Sequence, residues 1–129
     1  MKVNQMKSIL FAVLLCFYGN FSLAQVTQLL MFEQDGCHWC EMWNDQISEA
    51  YPKTIEGRTA PLKRINIHSK IPKGITLVSN PQFTPTFVVI NVGKEIGRIE
   101  GYPGEDFFWG LLDKILLGLP NYVNVKGKS

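Results

Sequence analysis

The chain has 129 residues, with 13 Lys and Arg against 11 Asp and Glu and 3 cysteines. That length suits one domain, and no repeat, low-complexity tract or linker divides it. Without Lys2 and Lys7, which fall in an apparent leader, 11 basic and 11 acidic residues remain, and this balance argues against a nucleic-acid surface.

The chain starts on a positive segment, Lys2 to Lys7, followed by the almost wholly apolar Ser8 to Tyr18 and then Ser22-Leu23-Ala24. This layout predicts a secretory signal peptide over residues 1–24, cut after Ala24, and a single domain over residues 25–129. The alternative is an uncleaved membrane anchor, but the apolar run is shorter than the ~20 residues that span a bilayer. Cys16 leaves with the leader, and the large Leu15 before it does not suit a lipoprotein cut. Only Cys37 and Cys40 then remain, in an exported and oxidising compartment.

Thr27 to Glu33 reads as a buried strand, with Leu29, Leu30, Met31 and Phe32 in one run. Asp35-Gly36 breaks it. From Cys37 the pattern turns helical, and Trp39, Met42, Trp43 and Ile47 recur on one apolar face until Tyr51-Pro52. Gly57 to Pro61 reads as a connector, and Leu62 to Ile67 as a second strand. His68 to Gln82, rich in proline and glycine, reads as an irregular crossover, with one short helix as the alternative. Thr86 to Asn91 is a β-branched strand, joined through Val92-Gly93-Lys94 to a partner strand over Glu95 to Glu100. A last helix starts at Glu105, with Phe107, Phe108, Leu111, Leu112, Ile115 and Leu116 as its stripe, and Gly118 and Pro120 stop it. A right-handed crossover makes the first two strands parallel. The expected fold is α/β: a central four-stranded mixed sheet with helices over both faces.

Cys37-His38-Trp39-Cys40 at a strand-to-helix junction carries the chemistry. A helix N-terminus favours the thiolate of the first cysteine, which the spacing makes the exposed nucleophile. The second, one turn in, is the buried resolving thiol that attacks the mixed disulfide. A structural disulfide of this spacing closes too little chain to stabilise much. Zinc needs about four ligands, and only His38 and His68 could assist the two thiols. A c-type haem needs His after the second cysteine, where Glu41 stands. No organic cofactor or metal is therefore expected. His38, if cationic, lowers the Cys37 thiol below the usual ~8.5, and the plain alternative is an exposed turn residue. Trp39 is expected to sit half exposed beside the thiols, with Trp43, Phe107, Phe108 and Trp109 in the core. Glu33, Asp35 and Glu41 flank the cysteines as solvated charges, and Glu33 is the choice for a proton shuttle to Cys40.

Element order, the Cys37-x-x-Cys40 pair and the downstream Thr84-Pro85-Thr86 resemble the thioredoxin fold over the whole exported chain. Met31-Phe32-Glu33-Gln34, Phe83-Thr84-Pro85-Thr86-Phe87 and the segment Glu100 to Trp109 resemble SoxS-type periplasmic thioredoxins of sulfur-oxidising bacteria. The resemblance implies a periplasmic reductase of protein disulfides or thiol adducts that keeps a partner's cysteine active, re-reduced by a membrane-linked electron donor. It places Pro85 at the family's cis-proline position. Thr84 and Pro85 then form one wall of a substrate groove, Gly101 and Tyr102 the other, with Trp39 alongside. The chain departs from ordinary thioredoxins in three places. Met31 replaces the family's buried acid, Glu41 replaces the lysine after the second cysteine, and His38-Trp39 replaces Gly-Pro. The competing readings are an oxidant that donates its disulfide, a copper- or zinc-binding thiol chaperone, and an interaction module without turnover.

Overall fold

The computed structural model describes residues 26–128; the expected leader, its cleavage site and Cys16 lie outside the described residues. Four strands form one mixed sheet: β1 (Thr27–Glu33), β2 (Leu62–Asn66), β3 (Thr86–Asn91) and β4 (Lys94–Glu100), in the order β2-β1-β3-β4. β1 pairs parallel with β2 and antiparallel with β3, and β3 pairs antiparallel with β4. The β3–β4 turn holds Val92 at φ 49° and Gly93 at φ 77°. Two successive positive φ values match the strand twist of a two-residue hairpin, and glycine adopts one without steric cost.

Both central strands are apolar on successive residues because both their faces are covered. Leu29 and Met31 of β1, with Phe87 and Val89 of β3, enter one core cluster, and Leu30, Phe32, Val88 and Ile90 enter another. The first cluster draws on each α-helix among the described residues: α1 (His38–Trp43), α2 (Ile55–Thr59), α3 (Glu105–Leu116) and α4 (Pro120–Lys126). A π turn over Asn44–Ser48 continues α1, and a 3₁₀ turn over Tyr51–Lys53 closes that segment. Among the described residues the helices flank one face of the sheet. On the second face, where another helical layer was expected, Ile67, Ile71, Ile75 and Leu77 of the crossover pack against the sheet. Their spacing suits a helix, but Pro72 supplies no N–H and disfavours helical backbone at Ile71.

Other expectations are corrected. The connector at Gly57 contains α2, whose N-cap Thr54 accepts from the Gly57 N–H at 2.9 Å. Gly57 is there for space: a Cβ at this position would lie 1.8 Å from the Tyr51 carbonyl oxygen. Pro120 does not end helical structure but opens α4, since proline's missing N–H is harmless in a first turn. The α3 stripe is narrower than its apolar pattern: Phe108, Leu112 and Leu116 are buried, whereas Phe107 and Leu111 are exposed. Trp39, counted on the apolar face of α1 by its spacing, is 51% exposed, which agrees with the half-exposed setting expected of it, while Trp43 and Ile47 are fully buried.

Candidate active site

β1 ends at Glu33, and a turn through Asp35-Gly36 delivers the chain to Cys37, the N-cap of α1. Gly36 takes φ 73°, a conformation open to glycine. Cys37 and Cys40 are joined in a disulfide. The Cys40 N–H donates to Cys37 Sγ at 3.1 Å, and the Glu41 N–H to the Cys37 carbonyl at 3.1 Å. A sulfur that accepts from a helix N-terminal N–H is poised to carry negative charge once reduced, because the bond strengthens with that charge. Cys37 is 8% exposed and Cys40 3%, so both are buried and Cys37 is not the open residue foreseen. It packs in the main core cluster with Cys40 and Tyr102.

Beside the disulfide, at the C-terminal ends of β1 and β2, lies a cleft of about 300 Å³. Its lining runs from Glu33 to Cys37, continues through Cys40, Glu41 and Asn44 of α1, and is closed by Arg64, Ile65 and Asn66. Arg64 was not foreseen. It pairs in register with Met31, the residue standing where thioredoxins keep a buried acid. Its guanidinium donates to Glu33 Oε2 at 2.6 Å and Asn44 Oδ1 at 2.7 Å, contacts Met31 Sδ at 3.7 Å, and lies 5.6 Å from the Trp43 ring centre. Met31 itself is fully buried and carries no charge. Glu33, two residues further along β1, is the acid that pairs with Arg64, and it is partly exposed in the cleft. The sign that could have revealed Arg64 was an arginine in a strand adjacent to β1, level with Met31.

His38 and Trp39 do not line this cleft. His38 is exposed, and its ring meets that of Trp39 edge-on at 5.3 Å.

The Thr84–Pro85 peptide bond is cis. Three hydrogen bonds pin this loop. Thr86 Oγ1 donates to the Phe83 carbonyl at 2.7 Å, the Gly101 N–H donates to the Pro85 carbonyl at 2.7 Å, and Gln34 Nε2 donates to Thr84 Oγ1 at 3.0 Å. Gln34 also lines the cleft, so it ties the proline loop to the cysteine segment. Pro85 is buried and Thr84 partly exposed. The Tyr102 ring is buried, and its hydroxyl donates to Gln46 Oε1 at 2.6 Å. Burial, then the nearby Glu105 carboxylate, raises the Tyr102 phenol, which keeps it a neutral donor. Tyr102 therefore backs the loop from inside rather than presenting its ring, and Gly101 meets Pro85 through its backbone.

Among the described residues no group of three or more His, Cys, Asp or Glu is placed to hold a metal ion, and no helix is long and apolar enough to cross a membrane. No family model matches the chain, and no curated protein does. Among solved structures, the chain is similar to the crystal structure of the periplasmic thioredoxin SoxS from Paracoccus pantotrophus in its reduced form. The two share 48% sequence identity with a TM-score of 0.69, over 70% of this chain and 95% of that one. At that identity, along nearly the whole of its relative, the chain belongs to the thioredoxin superfamily, alongside the SoxS-type periplasmic thioredoxins, and its disulfide is the centre of a thiol–disulfide oxidoreductase.

Proposed function

We propose that this protein is an exported, periplasmic reductase of protein disulfides or thiol adducts, serving proteins of sulfur oxidation. The observation that carries the chemistry is the Cys40 N–H donating to Cys37 Sγ at 3.1 Å at the start of α1. It supports Cys37 as the thiolate that attacks. The name and compartment of the similar structure support the setting and the partner class.

In the reducing direction, Cys37 thiolate attacks one sulfur of the substrate disulfide. A mixed disulfide forms, and the other substrate sulfur leaves as a thiolate and takes a proton. Cys40 then gives up its proton and attacks Cys37 Sγ. The Cys37–Cys40 disulfide forms, the second substrate thiolate leaves, and two electrons have passed to the substrate. Glu33 is the base for the Cys40 proton, reached through water, since the cleft has room for several molecules at about 30 Å³ each. Arg64 and Asn44 hold that side of the cleft in place. Thr84, Pro85 and the Gly101 backbone form the groove that receives an extended substrate as an added strand, with exposed Trp39 beside it. His38 favours the Cys37 thiolate. A membrane-linked donor returns two electrons and two protons, because the compartment does not.

The test is trapping with Cys40→Ser in the exporting cell. The variant should accumulate as a mixed disulfide through Cys37, and sulfur-oxidation proteins should be among its partners. Trapping through no partner, or a reduction potential near −120 mV rather than near −270 mV, would refute the reducing role.

A further inference from the structure

Gln34 lies between two loops that meet at the cleft. Its Nε2 donates to Thr84 Oγ1 at 3.0 Å, and its Oε1 lies 3.0 Å from His68 Nε2. All three side chains sit toward solvent, where one neutral hydrogen bond contributes little to folding. The loop is already pinned on both sides of Thr84 through Phe83 and Pro85. A link made from weak, exposed bonds to an already anchored loop has little to do with stability. What it determines is which way the Thr84 hydroxyl points.

In this structure the amide NH₂ faces Thr84 and Oε1 faces His68 Nε2, an arrangement satisfied by the Nε2–H tautomer of His68. Thr84 Oγ1 then accepts from Gln34 and keeps its own O–H for another acceptor. Thr84 is partly exposed beside Pro85, and among the described residues no acceptor takes that hydrogen.

We propose that Gln34, oriented by His68, is a positioning residue that turns the Thr84 hydroxyl outward as a donor to a backbone carbonyl of the extended polypeptide substrate. This rests on the thiol–disulfide exchange reading and on the groove at Thr84-Pro85. It adds a specificity element: the substrate residue opposite Thr84 must present a carbonyl there, which an extended peptide does and a small disulfide does not.

The experiment is steady-state reduction of two probes, a disulfide-bridged model peptide and the small disulfide hydroxyethyl disulfide, by wild type, Gln34→Met, Thr84→Val, the double variant and Thr84→Ser. Loss of one neutral hydrogen bond should raise KM for the peptide roughly three- to tenfold in either single variant. The double variant should be no worse than one single, because both remove the same bond. Thr84→Ser should restore the wild-type KM for the peptide, and the ratio of kcat/KM for the peptide to that for hydroxyethyl disulfide should fall in Gln34→Met and in Thr84→Val. His68→Leu should shift the peptide KM in the same direction, since the amide is then free to turn over. The Cys37–Cys40 reduction potential should not move. An unchanged peptide KM in Gln34→Met, additive losses in the double variant, or equal losses on both probes would overturn this assignment alone. Failure of the wild type to reduce either probe would overturn it together with the exchange reading.

Discussion

Two helical glycines respond oppositely to the same substitution. Gly110 lies inside α3, where an added Cβ meets no atom within 4 Å. Gly110→Ala should follow helix propensity and stabilise by roughly 0.5–1 kcal/mol, as a glycine in a helix interior is that much worse than alanine. Gly57 lies inside α2, where an added Cβ would sit 1.8 Å from the Tyr51 carbonyl oxygen and 2.6 Å from its carbon. Both are backbone atoms, so no rotamer change relieves the clash. The Tyr51 carbonyl already accepts from Thr54 Oγ1 at 2.7 Å and the Thr54 N–H at 3.1 Å, and Thr54 Oγ1 caps the Gly57 N–H. Moving α2 away disturbs all three bonds. It also disturbs the Tyr51 hydroxyl, which donates to the Ala60 carbonyl at 2.7 Å. Overpacking costs about 1–3 kcal/mol and a weakened cap about 1, against about 1 gained in propensity. Net destabilisation is then about 1–3 kcal/mol, or a fall in Tm of about 4–8 °C per kcal/mol for a domain near 100 residues. Circular-dichroism melts of the oxidised protein decide it. A Gly57→Ala variant as stable as wild type, or a Gly110→Ala variant less stable, would refute the reasoning.

Three further outcomes are expected. Glu33→Gln should slow release of the mixed disulfide by Cys40, seen as a lag in single-turnover kinetics, while the first attack by Cys37 keeps its rate; equal rates in both steps would remove Glu33 from the proton path. His38→Gly should raise the Cys37 thiol pKa and make the disulfide less oxidising, because a thiolate favoured by a cation favours the reduced form; unchanged thiolate absorbance and potential would leave His38 a surface residue. Burial alone would raise the Glu95 carboxyl, but hydrogen bonds from Arg98 and the Val78 N–H, with the Arg98 charge, hold it below its usual value. A depressed carboxyl stabilises the fold above its unfolded pKa and loses that contribution as pH falls through the folded one. The stability gap between wild type and Glu95→Gln, read from urea melts, should therefore be widest near neutrality and close below about pH 4; a constant gap would place the effect elsewhere.

Legibility in the sequence followed the range of the forces involved. The four strands, the hairpin and α3 were readable because alternation, β-branched runs and turn residues act between neighbours in the chain. Phe107 was misplaced because its stripe was read wider than the face that α3 turns to the sheet. Gly57 looked like a breaker because the Tyr51 carbonyl that excludes a side chain there comes from a separate turn. The crossover has helical spacing at Ile67, Ile71 and Ile75, yet it covers the opposite sheet face as a loop, and Pro72 within it disfavours helix.

The sequence by itself determined the redox pair and the turn that delivers it to a helix N-terminus. These rest on spacing and residue chemistry, which need no distant partner. Only the tertiary structure decided what surrounds the pair. Arg64 reaches Glu33 across 31 residues of sequence because β1 and β2 run parallel in that register. Gln34 reaches Thr84 across 50 residues because β1 and β3 bring their ends together. Contacts of that span exist only once the sheet has closed, so no local pattern in the chain records them.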